Sequence, residues 1–434
     1  MENKMLRYGA VVLLGICATA LQAQNISLSA PSMAGRDAKV YYFTGAKVDS
    51  LLSTIDNAGK ANFTLLSGDY RGMVALVVPE VGGIELVVAE PSIEVECSSA
   101  ELNTETVVFK NSSENDFLNR VFTSKSKYMQ QQAWLQAGGE LFGDDSPLAK
   151  QLRPELKKTE DSIAALDREI TASSLYSARY YRLVDFMNRL FDTEQKRDVD
   201  GAALIRKEME ENLDIAALYT SGRLWGSVLN LYISLFNHTA GNDKQQEYAA
   251  SVWRTSRSLV DPYYEAFLAG CITETERFGW RQSQDSILAG LHPQYMPENT
   301  SLQRALGAYR AQSNQAMPRL AGLEETKETY DKTLVAFYDS DCSTCVNEMF
   351  RLVVAYPALK EKDIRVVSVS ADKDRKKFEE SIKDFPWADK LCDFQGFEGE
   401  NFSNYNVIGT PSFYLMDKDG KLTGQFYSVS DMEI

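Results

Sequence analysis

The sequence predicts a multidomain chain in three parts: an N-terminal antiparallel β-sandwich, a central all-α region and a compact C-terminal α/β domain. Apolar residues alternate with polar ones from Ile26 to about Lys110. They recur every three to four positions from about Ser112 to Ala311, and then form alternating strand-like and helix-like runs. At 434 residues the chain exceeds the ~250–300 at which single hydrophobic cores stop growing. Hydrophobic residues make up 44% and charged residues 25%, a globular composition with no sign of collagen, disorder or a multi-span membrane protein. The expected divisions are a leader at 1–23, the sandwich at 24–111, the helical region at 112–322 and the α/β domain at 323–434.

Lys4 and Arg7 precede an apolar run from Tyr8 to Ala18, followed by small and polar residues to Gln24. That is the pattern of a secretory signal, and it predicts a periplasmic protein. The run is too short for a membrane span, which needs ~20 apolar residues. Ala18-Thr19-Ala20, or Ala23 before Gln24, supplies a cleavage site. A lipoprotein alternative uses Leu14-Gly15-Ile16-Cys17, with bulky Ile16 where lipidation signals place a small residue. Beyond the leader remain Cys97, Cys271, Cys342, Cys345 and Cys392, in a compartment where disulfides persist. An odd count leaves at least one thiol unpaired and excludes a disulfide framework. A net charge of -15 repels phosphate backbones, so nucleic acid is not an expected partner.

Within the sandwich, strands are expected at Lys39–Thr44, Ala61–Leu65, Met73–Val78, Ile84–Ala89 and Ile93–Cys97, separated by turn residues such as Asp56-Asn57-Ala58-Gly59-Lys60. Ile93, Val95 and Cys97 share a face, which reads Cys97 as a core residue. Ser113 and Asp116 could cap the first helix. Helical spacing then covers Pro147–Leu166, Leu204–Tyr219, Leu224–Phe236 and Gln246–Leu268. Tyr176, Tyr180, Tyr181, Trp225 and Trp253 either pack between helices or line a peptide groove, and such stripes are usually core. Cys271 falls in an apolar helical context. Residues 311–332 turn polar, with Pro318 and Gly322, as an interdomain connection does.

The α/β domain reads as strand Thr333–Tyr338, helix Cys342–Ala355, strand Ile364–Ser370, helix Asp374–Lys383, a short helical turn Asn401–Tyr405, and a hairpin of Ser412–Met416 and Leu422–Tyr427. A C-x-x-C pair therefore follows a buried strand and opens a helix. Cys342 at the helix N-terminus meets unpaired amides and the helix dipole, which favour its thiolate, and Cys345 lies one turn in. Cys342 can then attack a disulfide and Cys345 resolve the mixed disulfide. The alternatives are a structural Cys342–Cys345 disulfide or half a zinc site. Zinc needs four ligands, there is no second C-x-x-C, and His238 and His292 lie in the helical region, so neither metal nor cofactor is expected.

Val335-Ala336-Phe337-Tyr338-Asp339-Ser340-Asp341-Cys342-Ser343-Thr344-Cys345 resembles the active-site strand and loop of thioredoxin-like proteins, most closely the secreted reductases of the TlpA/ResA type. Glu348 stands where that group carries an active-site glutamate. Gly409-Thr410-Pro411 matches its cis-proline loop, and Asp417-Lys418-Asp419-Gly420-Lys421 its hairpin. The resemblance covers about Asp331 to Ile434. It implies a redox-active Cys342–Cys345 disulfide, Glu348 as proton exchanger, and Thr410-Pro411 as the substrate-binding edge facing Cys342. The chain departs from the group in having Asp341 where tryptophan precedes the first cysteine, and Met349-Phe350 where a proline often follows the glutamate. Negative charge at Asp341, with Asp339 close by, disfavours the Cys342 thiolate. The group's last helix is expected where the sequence stops at Ile434, and a sheet without it leaves an apolar face open. The N-terminal strand pattern, the Asp56-to-Lys60 turn, Gly83-Ile84-Glu85-Leu86 and the run into Asn111-Ser112 resemble the β-sandwich module that precedes thioredoxin-like domains in secreted proteins of Bacteroidetes.

The expected function is a periplasmic thiol-disulfide oxidoreductase that reduces protein disulfides and draws electrons from a membrane donor. A scaffold with an inert Cys342–Cys345 disulfide is the alternative. A peroxidase fits less well, because Asp339 occupies the position where peroxiredoxins place Thr or Ser.

Overall fold

The computed structural model describes residues 24–65, 69–143, 145–312, 316–325, 329–407 and 409–432. The expected leader lies outside these residues. Among the described residues no helix is long and apolar enough to cross a membrane.

The N-terminal strands are β1 (Gln24–Ser29), β2 (Asp37–Thr44), β3 (Lys47–Thr54), β4 (Lys60–Leu65), β5 (Gly72–Val78), β6 (Gly82–Val88), β7 (Ser92–Cys97) and β8 (Val107–Lys110). They form two four-stranded sheets, ordered β4-β1-β7-β8 and β3-β2-β5-β6. The alternation sends Ile26, Leu28, Phe63, Ile93 and Val95 of the first sheet, and Val74, Leu76, Ile84 and Leu86 of the second, into one shared core. Cys97 is buried in it. Within the sandwich β1 runs parallel to β7. β1 is antiparallel to β4 on its other side, and because β4 and β7 run in opposite directions, a strand between them must be parallel to one. The turn before β4 requires glycine at 59: its φ is +78°, and a Cβ there would stand 2.4 Å from Pro31 Cα.

Ten helices follow: α1 (Ser113–Phe142), α2 (Pro147–Ala172), α3 (Tyr176–Lys196), α4 (Val199–Glu211), α5 (Ile215–Tyr219), α6 (Arg223–Thr239), α7 (Lys244–Ser256), α8 (Tyr263–Arg277), α9 (Arg281–Ala289) and α10 (Thr300–Gln312), counted among the described residues. Ser112, one residue earlier than expected, caps α1 by accepting from the Asn115 amide. Asn115 in turn continues the sheet edge, its side chain accepting from the Val87 amide and donating to the Val87 carbonyl, both at 2.8 Å.

Two expected helices are each split. Leu204–Tyr219 becomes α4 and α5, because Asp214 turns its carboxylate onto the Ala217 amide and starts a new helix. Gln246–Leu268 becomes α7 and α8, because Pro262, after a cis peptide bond, lacks the N–H that a continuing helix needs. Tyr176, Tyr180, Trp225 and Cys271 are buried helix-packing residues. The chain separates into two compact units, one of the described residues to Phe43 with Val48–Tyr181, the other of Thr44–Lys47 with everything from Arg182 onward.

The C-terminal domain comprises β9 (Lys332–Tyr338), α11 (Ser343–Glu361), β10 (Ile364–Ser370), α12 (Arg375–Ser381), β11 (Asp389–Leu391), α13 (Glu400–Asn404), β12 (Ser412–Asp417) and β13 (Leu422–Phe426). The sheet order is β11-β10-β9-β12-β13. β10 runs parallel to β9 and β11, whereas β12 is antiparallel to both β9 and β13. β11, three residues long, is too short to show a period in the sequence. Both faces of the sheet are covered, which is why β9 is almost wholly apolar. Leu334, Ala336 and Tyr338 pack with Met349 and Leu352 of α11. Val335 and Phe337 pack with Phe402, Tyr405 and Val407 on the other face. On the outer side of α11, Val346, Phe350 and Val354 are exposed at four-residue spacing.

The segment expected to be a polar connection is instead part of this domain. Its composition conceals two apolar residues three apart, Met317 and Leu320, which are buried with Phe337 and Phe402; burial of such side chains stabilises by ~1.5–3 kcal/mol each. Ala321 exchanges two hydrogen bonds with the Asn401 side chain, at 2.7 and 3.1 Å, and the Tyr405 hydroxyl donates to the Pro318 carbonyl at 2.9 Å. From the helical side, α10 lies directly on α13, and Arg304 donates to the Phe397 carbonyl at 3.0 Å. The closest approach is at Gly307, where a Cβ would stand 2.3 Å from the Asn404 carbonyl oxygen.

Gly307→Ala tests this contact. Alanine gains ~1 kcal/mol of helix propensity, but overpacking against backbone, which cannot rotate away, costs ~1–3 kcal/mol. The expected outcome in urea denaturation is a net loss of stability; a gain would mean that α10 does not press on α13.

Candidate redox site

The site is built at the carboxyl ends of two adjacent parallel strands, where α/β sheets gather functional groups. β9 and β10 end level with one another, Tyr338 opposite Ser370. The chain leaving β9 turns through Asp339, whose carboxylate accepts from the Asp341 amide at 2.9 Å and whose carbonyl accepts from the Cys342 amide at 3.2 Å. Cys342 then occupies the N-cap of α11, with φ -91° and ψ 113°. Its sulfur replaces the usual capping oxygen and accepts from the Cys345 amide at 3.3 Å. Cys342 is partly exposed, whereas Cys345 is buried in the core beneath α11. Both are thiols in this structure, the reduced counterpart of the expected Cys342–Cys345 disulfide.

The two thiols are driven apart electrostatically. The Cys342 thiol is held below its ordinary value, first by the Cys345 thiol and amide donating to it and then by the Thr344 amide, with partial burial and the Asp339 charge opposing. The Cys345 thiol is pushed up to about 11, chiefly by burial and next by Cys342, while a hydrogen bond with the Thr410 side chain pulls the other way.

The expected effect of Asp341 is corrected by the geometry. Its carboxylate is turned to Lys377 of α12, 2.5 Å away, and the acidic charge acting on Cys342 is that of Asp339. The Thr410–Pro411 bond is cis. Glu348, three residues beyond Cys345, is buried, but its carboxylate is engaged elsewhere. One oxygen accepts from Arg351 at 2.9 Å, the other from Ser428 Oγ at 3.1 Å and the Val429 amide at 2.7 Å. In this form it holds the segment after β13 onto α11.

Three participants escape a reading of the sequence: Ser340, Lys377 and Asp372. The buried Asp372 carboxylate accepts from Ser340 Oγ at 2.5 Å. The available signal was its place just past the end of β10, beside the cysteine loop in a βαβ unit. Cys392, half-buried, donates its thiol to the Asp372 carbonyl at 3.2 Å. Among the described residues there is no group of three His, Cys, Asp or Glu side chains that could hold a metal ion.

Fold and site together define a thioredoxin-like domain at the C-terminal end of the chain, and residues 330–422 match the family described as thioredoxin-like. Among curated proteins, the chain is 30% identical over 86 residues to the thiol-disulfide oxidoreductase ResA of Bacillus thuringiensis subsp. konkukian and, to the same extent, to that of Bacillus cereus. Each match covers 20% of this chain and 49% of the relative, so the chain spans about half the length of the curated relatives it matches. Among solved structures it is similar to a thiol-disulfide oxidoreductase from Bacteroides fragilis, at 27% identity over 24% of this chain and 76% of the other, with a TM-score of 0.21. The thioredoxin domain of a thiol-disulfide oxidoreductase from Bacteroides vulgatus aligns at 24% identity over 23% and 73%, with a TM-score of 0.22.

The difference between the two thiols is measurable. Iodoacetamide at pH 7, followed by peptide mass spectrometry, is expected to modify Cys342 and spare Cys345. The Cys342 rate should rise with pH through a midpoint below that of an ordinary thiol, and Cys345 should react only as the pH approaches about 11. Equal rates at neutral pH would contradict this electrostatic arrangement.

Proposed function

We propose that this chain is an extracytoplasmic thiol-disulfide oxidoreductase that reduces disulfide bonds in other proteins. The observation that carries the reading is the pairing of a partly exposed Cys342, its thiol lowered at a helix N-terminus, with a buried Cys345 held in reserve behind it. The Cys342 thiolate attacks one sulfur of a substrate disulfide, forming a mixed disulfide and expelling the other substrate sulfur as a thiolate. Cys345 then gives up its proton and attacks Cys342 Sγ. The Cys342–Cys345 disulfide forms, the second substrate thiol leaves, and two electrons have passed from protein to substrate. Burial delays Cys345 until it is needed: a thiol pushed up to about 11 stays protonated until the mixed disulfide draws it in.

Thr410 and Pro411 are assigned to the substrate edge, supported by the influence of the Thr410 side chain on the Cys345 thiol. Glu348 can exchange protons with the pair once it gives up Ser428 or Arg351. Turnover requires an external dithiol donor, and a membrane protein is the class that delivers electrons into an oxidising compartment. The periplasmic assignment rests on the Lys4-to-Gln24 pattern, and the relation to secreted Bacteroidetes proteins on the sandwich. The proposed functional division places this chemistry in residues 323–434. The Asp339 charge opposing the thiolate favours a second reading, a thioredoxin-like scaffold with an inert disulfide.

Insulin as the disulfide, with dithiothreitol as the donor, separates the two. The full chain is expected to accelerate insulin reduction, Cys342→Ser to abolish the acceleration, and Cys345→Ser to capture an insulin chain in a mixed disulfide that excess thiol releases. Neither acceleration nor capture would leave the scaffold.

A further inference from the structure

The loop carrying Cys342 has little packing to hold it. Its outer side borders a cavity of about 360 Å³ whose lining includes Asp339, Asp341, Asp372 and Lys377. Hydrogen bonds must therefore fix the loop; besides those to Asp339 within the turn, others run to Asp372. Asp372 lies two residues beyond the end of β10 and is 4% exposed. One of its carboxylate oxygens accepts from both the hydroxyl and the amide of Ser340, at 2.5 and 3.3 Å. The other accepts from Ser370 Oγ at 2.6 Å, and that hydroxyl in turn accepts from the Asp372 amide at 3.0 Å. Ser340 is two residues before Cys342. The Asp372 charge also acts on Lys377, the partner of Asp341 immediately before Cys342. Asp372 thus grips the loop at Ser340.

We infer that Asp372 is a positioning residue for Cys342: its buried carboxylate, fixed by the end of β10, sets Ser340 and so the turn that brings the sulfur onto the first amides of α11. The inference rests on reading Cys342 as the nucleophile. A charge is the costlier way to tie two loops together, since burial penalises a carboxylate more than a neutral amide. What it gains is strength, because hydrogen bonds to an ionised acceptor are roughly twice as strong as neutral ones. The effect on the chemistry is indirect. Asp372 bonds neither sulfur, yet a drifting Ser340 carries Cys342 away from the Thr344 and Cys345 amides that stabilise its thiolate.

The experiment compares Ser340→Ala, Asp372→Ala, Asp372→Asn and the double alanine variant, all in the full chain. The readouts are the pH dependence of iodoacetamide reaction at Cys342 and the thermal midpoint. Each single alanine variant is expected to raise the Cys342 midpoint by about one pH unit, which is about a tenfold slower reaction at pH 7. The double variant should be no slower than Asp372→Ala, because Ser340→Ala removes part of the same link. Asp372→Asn, which keeps an acceptor without the charge, should fall between alanine and wild type. Ser340→Ala removes only a loop hydroxyl and reads the link even if Asp372→Ala fails to fold. An unchanged Cys342 profile in Ser340→Ala, or additive losses in the double variant, would overturn the inference. A wild-type Cys342 no faster than an ordinary thiol would sink the redox reading itself, and this inference with it.

Discussion

The Cys345 amide closes on the sulfur of Cys342 at 3.3 Å, and the C-terminal domain is arranged around that contact. A negative charge at a helix N-terminus is favoured by ~0.3–1 kcal/mol, and by up to ~2 kcal/mol where it is partly buried. The opposing influences are partial burial of the sulfur and, after it, the Asp339 charge, and charge–charge effects near the surface are ~1 kcal/mol or less. The balance falls on the side of the thiolate, and the tethering of Asp341 to Lys377 turns a second acidic group toward a cation. Two aspartates beside Cys342 therefore oppose its thiolate less than their sequence positions suggest.

Holding that contact requires three neighbouring loops to stay in register. The turn after β9 supplies Cys342, the corner after β10 supplies Asp372, and the segment before β12 supplies Thr410. Each loop hangs from the sheet, and the sheet is fixed because both its faces are buried. One face is closed by α11, the helix that begins at the cysteines. The other is closed by α13 with the chain around Met317 and Leu320, and α10 presses on α13 through Gly307. Helices α4 to α10 thus share one compact unit with the C-terminal domain.

Much of this was legible in the sequence where one physical signal dominated. β10, Ile364–Ser370, could be read to the residue because an apolar run between polar residues has a single interpretation. The cysteine pair was equally plain, since a strand, a C-x-x-C and a helix in succession leave little freedom. The helix breaks at Asp214 and Pro262 were obscured because apolar spacing continues across them, and it took capping chemistry and the missing proline N–H to end the helices there. The parallel pairing of β1 with β7 joins residues far apart in the chain and leaves no local trace. The site beyond the cysteines was least visible. Nothing near Asp372 in sequence announces that its carboxylate reaches Ser340, and nothing in the spacing of Glu348 reveals that Ser428 and Val429 occupy it.

The central claim is that Cys342 and Cys345 form an exchanging pair and not a permanent staple. It is tested most directly by equilibrating the full chain in dithiothreitol and glutathione redox buffers and weighing the dithiol and disulfide forms by mass spectrometry. An exchanging pair is expected to titrate with a midpoint between about -120 and -270 mV, the range of working thiol–disulfide proteins. A midpoint below about -300 mV, where structural disulfides lie, would contradict the account.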